Sequence, residues 1–158
     1  MTMNSDRRMF LRGGKPLPIR PPWALPEDDF LTRCNRCGDC IVHCPQGILK
    51  ADWLGYPMVH FGTGGCTFCG VCVEHCSVQA LIIEEGLPPW QYKAFFSEAC
   101  LNSQGIACRT CGEQCGSNAI IFRPSPGGRV RPRLDAMLCS GCGACCGVCP
   151  VAAITLVL

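Results

Sequence analysis

The sequence has few charged and few aromatic residues and contains no long apolar run. Charged residues make up 16% of its 158 residues and aromatic residues 8%, whereas about a quarter of a typical globular domain is charged. No stretch of 18 consecutive apolar residues occurs, so the sequence predicts no transmembrane helix. The formal net charge is +2 without a basic stripe, which argues against nucleic acid as a partner.

The motifs of common active sites are also missing. The sequence has no G-x-G-x-x-G, no P-loop, no H-E-x-x-H and no Ser/His/Asp set. Its three histidines, His43, His60 and His75, are scattered, and two of them simply precede cysteines. We therefore expect a protein that is not an enzyme and has no site for a small-molecule substrate.

Cysteine, in contrast, is abundant, with 17 in 158 residues. Sixteen of them fall into four blocks of four. The first, second and fourth blocks follow C-x2-C-x2-C-x3-C, the spacing of bacterial iron–sulfur proteins, and the third is C-x7-C-x2-C-x3-C. The blocks are Cys34, Cys37, Cys40, Cys44; Cys66, Cys69, Cys72, Cys76; Cys100, Cys108, Cys111, Cys115; and Cys139, Cys142, Cys145, Cys149.

The spacing has a chemical reason. A [4Fe–4S] cluster needs a thiolate at each of its four irons, and a loop with a cysteine at every third residue can supply three. In two-cluster ferredoxins the fourth cysteine of each run binds the other cluster. The blocks therefore predict four [4Fe–4S] clusters with crossed ligands: Cys34, Cys37, Cys40 and Cys76; Cys66, Cys69, Cys72 and Cys44; Cys100, Cys108, Cys111 and Cys149; Cys139, Cys142, Cys145 and Cys115.

The two halves of the chain repeat each other. Adding 71 to Cys37, Cys40 and Cys44 gives three cysteines of the third block, and adding 73 to the second block gives the whole fourth block. Each block is followed by a short apolar stretch, which we expect to be one helical turn that runs into a strand. We therefore predict an α+β fold of two tandem ferredoxin-like units of the bacterial two-cluster type, stabilised by clusters, with small hairpins and short helices. The expected organisation is a flexible N-terminal arm over 1–30, a first unit over 31–84, a linker over 85–99 and a second unit over 100–158.

Two other chemistries also use many cysteines. A disulfide scaffold would not need a three-residue rhythm repeated four times, and zinc ribbons pair C-x2-C motifs without a third cysteine at the same interval. The spacing favours clusters over both. The remaining cysteine, Cys146, would give the wrong spacing in place of Cys145, so we expect a spectator thiol, with a redox or assembly role as the alternative.

Bound clusters would also affect the folding stability and the net charge of the protein. Domains of about 60 residues are marginally stable on their own, and metal ligation can supply the missing folding energy. An oxidised cube carries −2 when its four thiolates are counted. Four of them add −8 to the formal +2 and bring the charge to −6, which favours basic partner surfaces.

Residues 5–23, SDRRMFLRGGKPLPIRPPW, begin like a twin-arginine export signal. A signal peptide needs an apolar region of about 7–15 residues after its charged start, but here Phe10 and Leu11 are followed at once by charges and prolines. We therefore expect no export and a cytoplasmic location, where reduced thiols suit cluster assembly. The Arg7–Arg8 pair then belongs to a solvated tail or contacts carboxylates of a partner.

Four stretches together resemble one family: RRMFL at 7–11, IRPPW at 19–23, FLTRCNRCGDC at 30–40 and AIIFRP at 119–124. The chain resembles the NapF family, the ferredoxin-type accessory proteins of the periplasmic nitrate reductase system. The resemblance implies a cytoplasmic protein that binds the precursor of the molybdenum-containing catalytic subunit and helps it mature, at its iron–sulfur centre. The alternative is a cytoplasmic electron carrier that supplies a reductase.

Overall fold

The computed structural model describes residues 18–125 and 129–158, which form short helices and small two-stranded sheets. The α-helices are α1 (Glu27–Arg33), α2 (Asp39–Val42), α3 (Val71–Glu74), α4 (Thr110–Glu113) and α5 (Ala144–Gly147), with a 3₁₀ turn at Phe61–Thr63. The strands are β1 (Leu49–Ala51), β2 (Pro57–Val59), β3 (Lys93–Phe96), β4 (Ile120–Ser125), β5 (Arg129–Leu134) and β6 (Ile154–Val157).

The helices form for two different reasons. Three acidic residues in the first turn of α1 favour its N-terminus through the helix dipole, and the fully buried Phe30 anchors the helix to the core. The other four helices are single turns around the third cysteine of each block. Three of them begin after a glycine in the left-handed region, which turns the chain sharply: Gly38, Gly70 and Gly143.

The strands pair antiparallel within three separate sheets. β1 pairs with β2 and β4 with β5 as local hairpins, while β3 pairs with β6 from the far end of the chain, with Phe96 opposite Ile154. The expected linker over 85–99 therefore contains a strand. Its sequence, KAFF, is too short to show a pattern by itself, and its hydrogen-bonding partner lies about 60 residues away.

Three of the four apolar stretches after the cysteine blocks form strands, namely β1, β4 and β6. The stretch after the second block makes only a single bridge, between Leu81 and Ala24. The helical turns lie earlier than expected, around the third cysteine of each block and not after the fourth. The small hairpins and short helices of the α+β prediction are present.

Two cores hold the described chain together. The first contains Phe30, Ile48, Val59 and Leu81, and the second contains Ala94, Ile120 and Ile154. Each core also buries the third cysteine of two blocks: Cys40 and Cys72 in the first, Cys111 and Cys145 in the second. Because both cores are small, the cysteine side chains form a substantial part of each interior.

Residues 18–30 differ from the flexible arm that the sequence suggested. Ile19 accepts a hydrogen bond from the Val59 amide at 2.7 Å, and the Trp23 amide donates to the Pro89 carbonyl at 2.7 Å. Pro22 is fully buried. A proline that excludes a helix can still be part of the interior, as Pro22 is. The rest of the expected arm, including Arg7–Arg8, lies outside the described residues.

The two halves meet where the 3₁₀ turn packs on α5. A side chain at Gly143 or Gly147 would overlap Phe61, and the Cys66 amide donates to the Cys142 carbonyl at 2.8 Å. Gly143 also has a φ of +75°, so glycine is required there for both space and conformation. The second and fourth cysteine blocks are therefore in direct backbone contact.

Candidate iron–sulfur sites

The cysteine blocks share a recurring backbone shape. In the first, second and fourth blocks, the residue two positions after the first cysteine has a positive φ. In all four blocks, the residue three positions after the last cysteine also has a positive φ. These residues are Arg36, Phe68 and Gly141, and then Gly47, Gln79, Asn118 and Ala152. Such a conformation costs a residue with a side chain about 1–2 kcal/mol. Its recurrence in loops of different sequence indicates that the surroundings of the cysteines impose it.

This backbone shape points amide groups at the cysteine sulfurs. The Phe68 amide donates to Cys66 Sγ at 3.3 Å, and the amides of Ala80 and Ala153 donate to Cys76 Sγ and Cys149 Sγ at 3.2 Å each. Hydrogen bonds of this kind stabilise negative charge on sulfur and tune the potential of a bound cluster.

Three small cavities in the described chain are each lined by four cysteines. Their volumes are nearly equal, about 20 Å³ each, so the two halves enclose similar sites. Each cavity combines three cysteines of one block with the last cysteine of a neighbouring block: Cys34, Cys37, Cys40 and Cys76; Cys66, Cys69, Cys72 and Cys44; Cys139, Cys142, Cys145 and Cys115.

The third block gathers its cysteines across a longer loop. Cys100 and Cys108 lie close enough to Cys111 for their charges to raise its pKa, after the larger effect of burial. The buried Asn102 closes the five extra residues, because its side-chain amide donates to the Cys108 carbonyl and its oxygen accepts from the Cys108 amide. The sequence analysis missed Asn102, although asparagine is a frequent turn residue.

The chemistry of the two cavities around the second and fourth cysteine blocks fits an iron–sulfur cluster. Among the described residues that line either cavity, thiols are the only strong metal-binding side chains, and soft thiolates select such clusters. Within the described ranges, no three His, Cys, Asp or Glu side chains are placed to hold one metal ion. Thiols spread around a cavity instead match a cubane, in which each thiolate binds a different iron.

Burial keeps these thiols protonated when no iron is bound. It raises the pKa of Cys40 and Cys72 to about 12 and that of Cys66 and Cys111 to about 11, from an ordinary value of 9.0. Ligands must be thiolates, so cluster binding releases protons and is favoured as the pH rises.

Cys146 lies beside a proposed ligand. Its thiol is hydrogen-bonded to Cys145, which lowers the pKa of Cys146 and raises that of Cys145.

The fold also brings together His43 and His75, whose rings stack with centroids 3.7 Å apart. Both histidines are exposed, and their contact joins the ends of α2 and α3. This pairing could not be predicted, because the two residues are far apart in the chain.

Comparisons with known proteins match the cysteine pattern. Residues 33–81 match the 4Fe-4S dicluster domain family. The chain is 43% identical to ferredoxin-type protein NapF of Escherichia coli (strain K12), over 98% of this chain and 96% of that protein. It is 41% identical to NapF of Haemophilus influenzae, over 97% and 94%. It is 35% identical to the methylamine utilization ferredoxin-type protein MauM of Paracoccus denitrificans, over 80% and 64%.

These similarities, with 17 cysteines, indicate an iron–sulfur protein of the ferredoxin type, in an accessory or electron-transfer role. Among the described residues, none of the helices is both long and apolar enough to cross a membrane. The high identity over nearly the full length of both chains decides the family. The chain belongs to the NapF family of ferredoxin-type proteins.

Proposed function

We propose that this chain holds four [4Fe–4S] clusters and assists the maturation of a periplasmic nitrate reductase catalytic subunit in the cytoplasm, before export. The step assisted is assembly of that subunit's iron–sulfur centre. The observation that carries the cluster assignment is the lining of the three cavities, each by four thiols from two blocks. The repeat extends the assignment to a fourth set, Cys100, Cys108, Cys111 and Cys149.

In this proposal the ferredoxin-like units span 31–84 and 100–158, each with a pair of clusters. Bound clusters of this kind supply one-electron redox chemistry. The chain itself holds the thiolates, excludes water by burying the third cysteine of each block, and donates amide hydrogen bonds to sulfur from residues such as Phe68 and Ala80. None of these roles requires a catalytic side chain.

The partner proposed is the precursor form of the catalytic subunit. Family membership supports it, and the calculated charge of −6 with four clusters favours a basic partner surface. Co-purification should be strongest with precursor that has not been exported and should weaken as salt screens the exposed charges. Equal binding to the mature enzyme, or none to the precursor, would contradict the maturation role.

A second candidate function is electron transfer to a reductase. The Cys66–Cys142 backbone hydrogen bond favours it, because it places the sites of the two halves side by side. The decisive comparison is to add the cluster-loaded protein to the catalytic subunit lacking its iron–sulfur centre, with no electron donor present. Recovery of the subunit's iron–sulfur signal supports maturation, whereas recovery only when an electron donor is added supports a carrier.

A further inference from the structure

An open groove of about 630 Å³ is separate from the cysteine cavities, and none of the described cysteines lines it. Trp23, Trp90 and Tyr92 line it together with five prolines and the exposed Leu87. We call it the aromatic groove. Grooves lined by aromatic rings and prolines recognise extended, proline-containing segments, because such segments are already ordered before they bind.

The aromatic groove is held in shape by contacts between its walls. The Trp23 amide donates to the Pro89 carbonyl at 2.7 Å, and the Trp23 carbonyl accepts from the Ile82 amide at 2.9 Å. The Trp90 indole donates to the Ser140 carbonyl at 3.2 Å, and its ring meets Tyr92 edge-on at 6.0 Å. A preformed groove loses little freedom when it binds a ligand.

Trp23 also has a strained backbone, with a φ of +60°. A bulky residue occupies this conformation only where its surroundings fix it, and such residues are frequent in ligand clamps. The IRPPW stretch that the sequence analysis singled out therefore contributes Arg20, Pro21 and Trp23 to the lining of the groove.

The charges of the groove favour a cationic occupant. Its lining includes the carboxylates of Glu27 and Glu84, and its only cation among the described residues is Arg20. Arg20 is already paired with Glu27 and with the buried Asp52, each at 2.9 Å. The exposed carboxylate of Glu84 therefore gives the groove a negative charge that can attract a cation. Arginine suits such a place better than lysine, because its planar guanidinium both stacks on aromatic rings and forks onto a carboxylate.

We propose that the aromatic groove binds an extended segment of a partner protein in which arginine stands beside proline or other apolar residues. The guanidinium lies on the ring of Trp90 or Tyr92 and pairs with Glu84. This inference rests on the proposed function only in requiring a protein partner. The site is close to the second cysteine cavity, because Trp23 lines both and Phe68, between Cys66 and Cys69, contacts Trp90 at 5.6 Å.

The test is fluorescence anisotropy of a labelled synthetic peptide of repeated Pro-Leu-Arg units with the full-length, cluster-loaded chain. Binding should weaken about tenfold in Glu84→Lys, since a rim attraction becomes a repulsion. It should weaken about threefold in Tyr92→Leu, or when lysine replaces arginine in the peptide, through loss of ring stacking. The matched control is Glu98→Lys, the same charge change at an exposed residue that does not line the groove, and it should bind like the unmodified chain.

Three results would overturn the proposal. One is no binding, or binding that Glu84→Lys leaves unchanged. Another is tighter peptide binding by Arg7→Gln/Arg8→Gln, which would make the chain's own N-terminal segment the occupant. The third is self-association that Glu84→Lys abolishes, which would make the occupant a second copy. Iron content and precursor binding, measured on the same samples, report separately on the proposed function.

Discussion

Arg20 is the charged residue around which the first core is arranged. Its guanidinium forks onto Glu27, reaches Asp52 Oδ2 at 2.9 Å, and lies 5.2 Å from the centre of the Phe30 ring. Burial alone would raise the pKa of Asp52, but the bond from Arg20 and two backbone amides lower it below the ordinary 3.8. The sequence analysis did not single out Arg20, because its buried partner Asp52 lies 32 residues further along the chain.

Arg20→Met should be strongly destabilising. It leaves Asp52, whose side chain is 1% exposed, as an unpaired buried charge, and such losses cost about 3–5 kcal/mol. Because the pKa of Asp52 is lowered, this contribution is present above pH 3.8 and is lost as the pH falls through the lowered value.

The measurement for Arg20→Met is the urea concentration at which cluster absorbance disappears. Arg131→Met is the control, since Arg131 and Glu98 form an exposed pair at 3.5 Å that should contribute at most about 1 kcal/mol. Equal effects of the two substitutions would contradict the structural role of Arg20.

The ligand scheme makes a prediction about Cys44. Cys44 lines the cavity of Cys66, Cys69 and Cys72 and not that of its own block, so Cys44→Ala should perturb the same cluster as Cys69→Ala. Electron paramagnetic resonance of the two variants should match, and Cys37→Ala should differ from both. If Cys44→Ala instead groups with Cys37→Ala, the crossed assignment is wrong.

Cys146 is the cysteine that the spacing leaves over. Cys146→Ala should leave the iron content unchanged, because Cys146 is not one of the sixteen proposed ligands. Cys145→Ala removes a proposed ligand and should lower the iron content. The hydrogen bond between the two thiols still allows a shift in the potential of the cluster. Loss of a full cluster in Cys146→Ala would show that the doubled cysteine had been misassigned.

At the scale of elements, what could be predicted depended on how local each feature is. The cysteine blocks could be identified in the sequence from their spacing alone, because three ligands of a cluster come from one tight loop. β3 could not be predicted, because it is ordered by β6 at the other end of the chain. The same reason explains Leu81, whose partner Ala24 lies in a segment that appeared to be a free arm.

The contact between the 3₁₀ turn and α5 could not be read from the sequence either, and it can be tested with glycines. Gly38 and Gly143 occupy equivalent positions, with φ values of +84° and +75°, but only at Gly143 would a side chain overlap Phe61. Alanine at either position should cost about 1–2 kcal/mol for the backbone. At Gly143 the overlap should add about 1–3 kcal/mol.

The measurement is the temperature at which cluster absorbance is lost at a fixed heating rate. Gly143→Ala should lower it more than Gly38→Ala does. In a Phe61→Ala background the two substitutions should have equal effects, because the overlapping ring is gone. A difference that survives removal of Phe61 would contradict the proposed packing of the two halves.

The described part of the molecule contains two small cores, and cysteines are buried in both. Phe30 and Ile48 are the main fully buried side chains of the first core, and the second relies on smaller groups such as Ala94. Apolar burial on this scale is marginal for domains of this size, so bound clusters should supply folding free energy to both halves. The repeat in the sequence made this architecture predictable, while the contact between the halves depended on side-chain shapes.

The count of clusters tests the central claim most directly. Protein purified without oxygen, or reconstituted to saturation, should approach sixteen iron atoms and sixteen acid-labile sulfides per chain, because each of four clusters contributes four of each. A plateau at eight irons would contradict the assignment of the second half. Two or more zinc ions per chain without sulfide would contradict the iron–sulfur account as a whole.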